Sequence, residues 1–411
     1  MTKRKIEGYP GVAMRRIVRR AVAALLPLLF LAASGPLTAA PLSNAVLQVA
    51  APAALCMAES DGLEWLAIGV RGTNDRSVSI YSLDAAGALK PGDPMKLQLP
   101  CPAPLAAFPN YPLDVAFHPV KPLLYVWQDI DSQNVSKAVI ENKAVFEGFD
   151  HLLVYSNKDG KAELVGGFAR GTEFSFAHTR GVIAISPEGR RLFMSNLEIF
   201  GKGESAIGYY DLDAGGMPKP VPVPIAGSLD GHGLNEYEMQ YRPAFINVNH
   251  LTVGVASRGM VAATREVVLL SNAQGVALWD TVNRRAPLGS CPFYGFSAYV
   301  YLGGHPSLPV VYGAAINLSA LFCMAHVEGY LTQLPEFTDI PGAQFQSAPV
   351  PMPGLNGLAI GGVQQVYLLP LNAQGKFAGP AESVPVKSDA VKTVAFSVKH
   401  ARLYVPVEKL P

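Results

Sequence analysis

Short apolar runs separated by Gly-, Pro- and Asx-rich turns recur along the chain, the spacing of strands rather than helices. One unit repeats visibly. Residues 115–126 read VAFHPVKPLLYV, 183–194 read IAISPEGRRLFM, and 394–405 read VAFSVKHARLYV. Residues 302–313, LGGHPSLPVVYG, keep the same frame, with His305 seven positions before Tyr312 as His118 is before Tyr125. Each unit is an apolar strand, a polar turn and a second strand of β-branched and aromatic residues. A weaker copy runs from Cys56 through Asp61-Gly62 to Ile68, and two degraded copies fall around 245–255 and 358–360.

A second motif interleaves with the first. At the end of a short apolar run, an Asp, Asn or His stands three residues before a Gly at Asp84/Gly87, Asn157/Gly160, Asp213/Gly216, Asn272/Gly275, His326/Gly329 and Asn372/Gly375. In such a turn the first side chain accepts a backbone N–H, and the Gly takes the left-handed conformation that closes a hairpin. Alternating the two motifs gives a four-stranded unit, with the repeat forming strands one and two and the Asx–Gly turn joining strands three and four. Units are expected over about 53–100, 112–168, 180–228, 240–286, 296–335 and 345–387, followed by a seventh that begins at Val391 and ends after two strands, at Val407. Asn44–Ala50 is placed to complete it. The expected fold is all-β: a seven-bladed β-propeller of four-stranded antiparallel blades over 41–411, closed by pairing of the N- and C-terminal segments. Thirty-nine Gly, 34 Pro and only 16% charged residues agree with closely spaced strands and turns.

The first forty residues read differently. Seven basic residues between Lys3 and Arg20 precede an apolar run, Ala21–Ala33, and then small residues up to Ala40, the layout of a secretory signal peptide. Cleavage after Ala40 and after Ser34 are both open. The mature chain is therefore expected in the periplasm or outside the cell, with no membrane span after cleavage. Removing residues 1–40 takes seven of the 33 basic and one of the 32 acidic residues, leaving a net charge near −5. That balance argues against nucleic acid as a partner. Cys56, Cys101, Cys291 and Cys323 form an even set; proximity favours Cys56–Cys101 and Cys291–Cys323, with buried free thiols on strands as the other reading.

The units IAISPEGRRLFMSN (183–196) and VAFHPVKPLLYVW (115–127) resemble the YVTN-type repeats of the lactonase-like propeller superfamily. The tetrapeptide that names those repeats is absent; Leu124-Tyr125-Val126-Trp127 and Phe193-Met194-Ser195-Asn196 stand in its place. The resemblance implies relatives that hydrolyse sugar lactones, bind ligands at cell surfaces or serve as subunits of periplasmic redox enzymes, so it implies little about chemistry.

In a propeller the first–second and third–fourth turns share one face, and the remaining connections lie on the other. The long connections, 129–149, 197–204, 228–238 and 286–296, are all of the second kind, so a site is expected there. Candidate groups are His178-Thr179-Arg180, the run Asp230-Gly231-His232-Gly233-Leu234-Asn235-Glu236 with Tyr237, and Asn110-Tyr111 and Tyr294. One reading is lactone hydrolysis, with His178 or His232 as general base for water, Asp230 or Glu236 orienting it, and Arg180 holding the oxyanion or a substrate acid group. Another is binding of an anionic or carbohydrate ligand by Arg180 and Asp230 between Tyr111, Tyr237 and Tyr294. A third is that these groups only hydrogen-bond loop backbone. His118, His305 and His326 read as turn residues. No cofactor is expected, and Asp230, His232 and Glu236 are a weak signal for a metal. The expected partner is a small molecule or protein whose identity the residues leave open.

Overall fold

The computed structural model describes residues 41–70, 76–108, 110–130, 144–145, 148–169, 174–176, 183–186, 188–199, 204–220, 223–224, 251–254, 267–272, 275–280, 289–292, 300–308, 310–315, 319–327, 330–331 and 336–408. The chain divides into two units, Met1–Pro41 and Leu42–Pro411, and every described strand belongs to the second. The leader expected over 1–40 lies outside the described residues.

A 3-10 turn, Leu42–Ala45, leads into β1 (Val46–Ala50). Sheet one comprises β2 (Ala54–Ser60), β3 (Trp65–Val70), β4 (Ser77–Ser82) and β5 (Met95–Gln98). Sheet two comprises β6 (Asn110–Phe117), β7 (Leu123–Ile130), β8 (Asp150–Lys158) and β9 (Lys161–Ala169). Sheet three has β10 (Phe174–Phe176), β11 (Ile183–Ile185), β12 (Arg191–Ile199), β13 (Glu204–Asp211) and β14 (Val223–Pro224). Sheet four has β15 (Leu251–Gly254), β16 (Val267–Asn272), β17 (Gly275–Asp280) and β18 (Gly289–Pro292). Sheet five has β19 (Val300–Gly304), β20 (Val310–Ala315), β21 (Ala320–Val327), β22 (Tyr330–Leu331) and β23 (Glu336–Asp339). Sheet six has β24 (Val350–Met352), β25 (Gly357–Gly361), β26 (Gln365–Pro370) and β27 (Glu382–Pro385), and β28 (Ala395–Ser397) and β29 (Arg402–Val407) end the chain. Sheets one, two, four and six are four-stranded antiparallel meanders in sequence order. The described fold is all-β and of propeller type.

Burial follows from how the sheets stack. β3 and β25 are buried almost throughout, whereas the outer strands β5 and β27 alternate between partly or fully exposed and more buried positions. An inner strand of a sheet covered on both faces reads as a continuous apolar run, and an outer strand as an alternating one. The core lies between successive sheets. Trp65, Ala67 and Val78 of sheet one pack on Val115, Leu124 and Val126 of sheet two. Tyr125 and Val154 pack on Leu192 and Tyr210 of sheet three, and Tyr312 and Leu321 of sheet five on Leu358 and Tyr367 of sheet six. Sheet six in turn packs, through Val366 and Leu368, on Leu403 and Val405 of β29.

The first and last segments belong to one sheet. β1 runs parallel to β29 with Val46 opposite Leu403 and Ala50 opposite Val407, and β28 pairs antiparallel on the other side of β29. Val49 and Tyr404 then pack on Met57, Leu66 and Ile68 of sheet one.

Several expectations need correction. The terminal sheet has three strands and a parallel pair, not four antiparallel strands, because β1 returns alongside β29 in the same direction. Sheets three and five carry a fifth strand. In sheet four the Asn272/Gly275 turn joins the second and third strands, and a connection over 255–266 separates the first two. Of the degraded copy at 245–255, the described residues form β15. Both ends of the connection expected over 197–204 are strand, because β12 runs to Ile199 and β13 starts at Glu204, and within 286–296 the described residues form β18, Gly289–Pro292.

The disulfide expectation also fails: Cys56, Cys101 and Cys323 are free thiols, so neither favoured pair forms. Cys56 points into the sheet one–sheet two core with its Sγ 3.8 Å from the Pro112 carbonyl. Cys101 packs instead beside Leu105, Phe108, Ile130 and Phe149, and Cys323 is buried between sheets five and six. Burial pushes the Cys56 thiol well up and the Cys323 thiol to about 12, which keeps both protonated and unreactive.

The Asx–Gly turns form as their residues require. Asp84 Oδ1 accepts the N–H groups of Ala86 and Ala88, Asp213 Oδ1 those of Gly215 and Met217, and Asn372 Oδ1 those of Gln374 and Lys376. Gly87, Gly216 and Gly375 sit at φ of 75°, 88° and 76°. The repeat's tyrosine then reaches the turn of another sheet. Tyr125 donates to the Gly216 carbonyl at 2.6 Å, Tyr312 to Gly375 at 2.7 Å, and Tyr404 to Gly87 at 2.9 Å. All three rings are fully buried, each contributing on the order of 2 kcal/mol by burial alone.

Tyr404→Phe should cost about 1–2 kcal/mol, because it strands a buried carbonyl. Gly87→Ala should cost at least as much, about 1–2 kcal/mol from the left-handed backbone alone, with the added methyl 2.6 Å from His400 Cβ. Urea denaturation with an unchanged m-value measures both; an unshifted midpoint for Tyr404→Phe would show that the hydroxyl contributes nothing.

Candidate functional site

The two ends of the sheets differ in how their polar side chains are engaged. At the end carrying the short turns, the fourth residue of each repeat unit is His or Ser, and it accepts hydrogen bonds from the turn after it. His118 Nδ1 accepts the N–H groups of Val120 and Lys121, each at 3.1 Å, while its Nε2 lies 3.1 Å from the Gly189 carbonyl of sheet three. His305 Nδ1 accepts from Ser307 at 3.2 Å and Leu308 at 3.0 Å. Ser186 Oγ accepts from Arg190 and Arg191, and Ser397 Oγ from His400. These partners require a neutral imidazole with its Nδ1 lone pair free to accept. Burial holds His118 and His305 below the ordinary histidine range.

At the opposite end, the second sheet carries a buried polar ladder. Asn110 Nδ2 donates to Gln128 Oε1 at 2.9 Å, and Gln128 Nε2 donates to the carbonyls of Asp150 at 2.7 Å and Pro100 at 3.2 Å. His151 Nδ1 lies 3.3 Å from the Gln128 carbonyl, with its ring edge-on to Phe149. Asn110 Oδ1 is buried with no hydrogen-bond partner. Tyr111 is buried in β6 opposite Asp129.

Asp114 sits deeper in β6, at the irregularity between Pro112 and Asp114. Its carboxylate accepts the N–H of Val115 at 2.9 Å and that of Ile183 in sheet three at 2.8 Å. Burial raises its pKa to about 7 against the opposing pull of those two hydrogen bonds. A carboxyl titrating near neutrality can serve as an acid or base, but both oxygens here accept backbone N–H groups, Oδ1 from Val115 within β6 and Oδ2 from Ile183, which joins β6 to β11.

Of the sequence-derived candidates, Asn110, a member of the polar ladder, and Tyr111 beside it lie among the described residues. His178, Arg180, Asp230, His232, Glu236, Tyr237 and Tyr294 lie outside them, and so does any convergence between them. Sequence reading placed His118 and His305 correctly as turn residues. It passed over Asp114, Gln128 and His151, whose signal was a polar residue inside or at the end of an apolar strand: the Asp of YPLDVAF, the Gln of LLYVWQ and the His of DHLLVY. Among the described residues no group of three His, Cys, Asp or Glu side chains is arranged to hold a metal ion, and no helix is long and apolar enough to cross a membrane.

No family model matches the chain, and no curated protein matches it. Solved structures do. Raptor of Chaetomium thermophilum aligns at a TM-score of 0.53 and 12% identity, covering 85% of this chain and 26% of that one. This chain thus spans about a quarter of Raptor's length. Hydrazine synthase of Kuenenia stuttgartiensis aligns at 0.52 and 13%, covering 88% and 94%. The periplasmic gluconolactonase of Pseudomonas aeruginosa aligns at 0.52 and 15%, covering 83% and 88%. At 12–15% identity these similarities show a shared propeller-type fold alone.

Because the folded state keeps both turn histidines below their ordinary value of 6.5, their stabilisation is complete above that pH and is lost as the pH falls from there through the lower folded value. Replacing His118 and His305 by Ser, the residue at 186 and 397, should flatten the acid side of a melting-temperature profile. An unchanged acid slope in the double variant would show that these groups do not set it.

Proposed function

We propose that Leu42–Pro411 is a closed seven-bladed propeller, exported to the periplasm or beyond, that binds a small molecule or a protein through the face carrying its longer connections. The observation that carries this reading is the asymmetry of the two ends. At the short-turn end, His118, Ser186, His305, Asp84, Asp213 and Asn372 are all committed to backbone N–H groups of their own turns, which leaves those acceptors little capacity for a ligand. The ring reading is supported by seven sheets among the described residues, with the last packed on both the sixth and the first. On this reading Arg180 and Asp230 supply polar contacts and Tyr111, Tyr237 and Tyr294 stacking surfaces, and no cofactor is needed.

The second reading is lactone hydrolysis of the 6-phosphogluconolactonase-like type, favoured by the fold shared with a gluconolactonase. His178 or His232 would then take the proton from water, Asp230 or Glu236 orient it, and Arg180 hold the developing negative charge.

Thermal-shift screening against sugars, organic acids and lactones tests both readings. A true ligand at about a hundred times its Kd stabilises the fold by about 2.7 kcal/mol, and Arg180→Ala should remove that shift without lowering the unliganded melting temperature. Hydrolysis of a lactone panel that His178→Ala and His232→Ala abolish would favour the enzyme. If no compound shifts melting, no lactone is turned over and no protein co-purifies, both readings fail.

A further inference from the structure

The terminal sheet is one strand shorter than its neighbours. Sheets one and six, which pack on its two faces, each have four strands, whereas it stops at β1. Tyr81, in the third strand of sheet one, reaches Ala50 of β1, so β5 extends past the level of β1. One bond fixes which way the β1 backbone points. The Ala51 N–H donates to the Val407 carbonyl at 2.9 Å, and successive residues of a strand turn their backbone groups to opposite sides. Leu47 and Val49 therefore face β29, while Val46, Gln48 and Ala50 face outward. The Ala50 carbonyl agrees, since it accepts the Tyr81 hydroxyl at 3.4 Å. Among the described residues no strand pairs with that outer side, and Gln48 Oε1 is buried with no partner. Edge strands are normally protected by charge, proline, a bulge or brevity. The other outer strands conform: β5 carries Lys96, β9 a bulge, β14, β18 and β27 a final proline, β23 an acidic residue at each end, and β22 is two residues long. The five residues of β1, VLQVA, have none of these devices, and their pairing with β29 is unbroken.

We propose that the outer edge of β1 is a docking site for one extended, uncharged segment of a partner polypeptide, added as the fourth strand of the terminal sheet. Shape and charge select that occupant. With β5 and β27 standing on either side of the edge, a single extended chain fits where the face of a folded second copy would meet those strands first. Charge is disfavoured because β1 offers none, and Glu382 of β27 and Lys96 of β5 are already engaged, Glu382 by the Ser43 N–H at 3.3 Å. A charged side chain drawn between the flanking sheets would lose its hydration without gaining a partner. The outward backbone groups of Val46, Gln48 and Ala50 supply the hydrogen bonds of such an added strand. This inference rests on the strand order at the terminal sheet and not on either proposed activity.

The test tethers a strand to the full chain. A Thr-Val-Thr-Val-Thr tail is fused after Pro411 through a Gly/Ser linker of about ten residues, enough to cross two strand spacings of about 5 Å each. Tethering holds the tail at a millimolar effective concentration, so a weak intrinsic affinity does not hide the pairing. Amide exchange, corrected for intrinsic rates, is read at Gln48, whose N–H points outward, and at Val49, which faces β29. In the unfused chain Gln48 should exchange at least about tenfold faster than Val49. The tail should slow Gln48 by about tenfold or more and leave Val49 unchanged. A tail of five prolines, with no N–H to donate, should leave both unchanged. If the Thr-Val tail fails to slow Gln48, or the proline tail slows it equally, the proposal is overturned. Protection of Gln48 in the unfused chain overturns it too: protection lost on dilution assigns the edge to a second copy, and protection that persists assigns it to the chain's own residues.

Discussion

The bond from a buried tyrosine hydroxyl to a glycine carbonyl in another sheet's turn is the constraint on which the rest depends. Propeller sheets touch mainly through apolar side chains, and such contact is not directional. The Tyr125–Gly216, Tyr312–Gly375 and Tyr404–Gly87 bonds add direction, fixing how far one sheet slides and turns against the next. Each needs both sequence motifs at once. The repeat supplies a Tyr seven residues after the turn-capping His or Ser, and the Asx–Gly turn supplies a carbonyl presented by a residue with positive φ. Neither motif explains itself alone.

Much of the fold was legible because its signals are local. The His and Ser caps, the Asx acceptors and the left-handed glycines are decided within five residues, and the structure forms them in the described copies. The pairing of Asn44–Ala50 with the C-terminal strand was legible for a different reason: an incomplete last unit needs a partner, and a spare apolar segment exists. Its parallel direction was not legible, since period-two patterning carries no strand orientation. Sheet four was misframed because its first two strands are separated by 255–266, and an Asx–Gly pair looks the same at either hairpin. The cysteine pairing was misjudged because spacing along the chain says nothing of which core each side chain enters.

The candidate site was less legible. Charged and aromatic residues on long connections mark a place for chemistry without fixing its geometry, and His178, Arg180 and His232 carry no motif that constrains one another. The buried polar residues within strands were the opposite case. Asp114 joins two sheets, and Gln128 ties strand ends to a loop carbonyl. A polar residue inside an apolar run is costly to bury unless paired, so these positions repay attention in the sequence even when no motif surrounds them.

The junction of the chain termini is where all of this is most directly measured. Nitroxide labels at Ala50 and Glu408, both exposed, flank the bond from the Ala51 N–H to the Val407 carbonyl at 2.9 Å. In a Cys101→Ser background, which removes the least buried of the described thiols, the doubly labelled protein should show strong dipolar broadening in its EPR spectrum that vanishes on unfolding. A spectrum equal to the sum of the two single labels would mean that the terminal segments do not share a sheet.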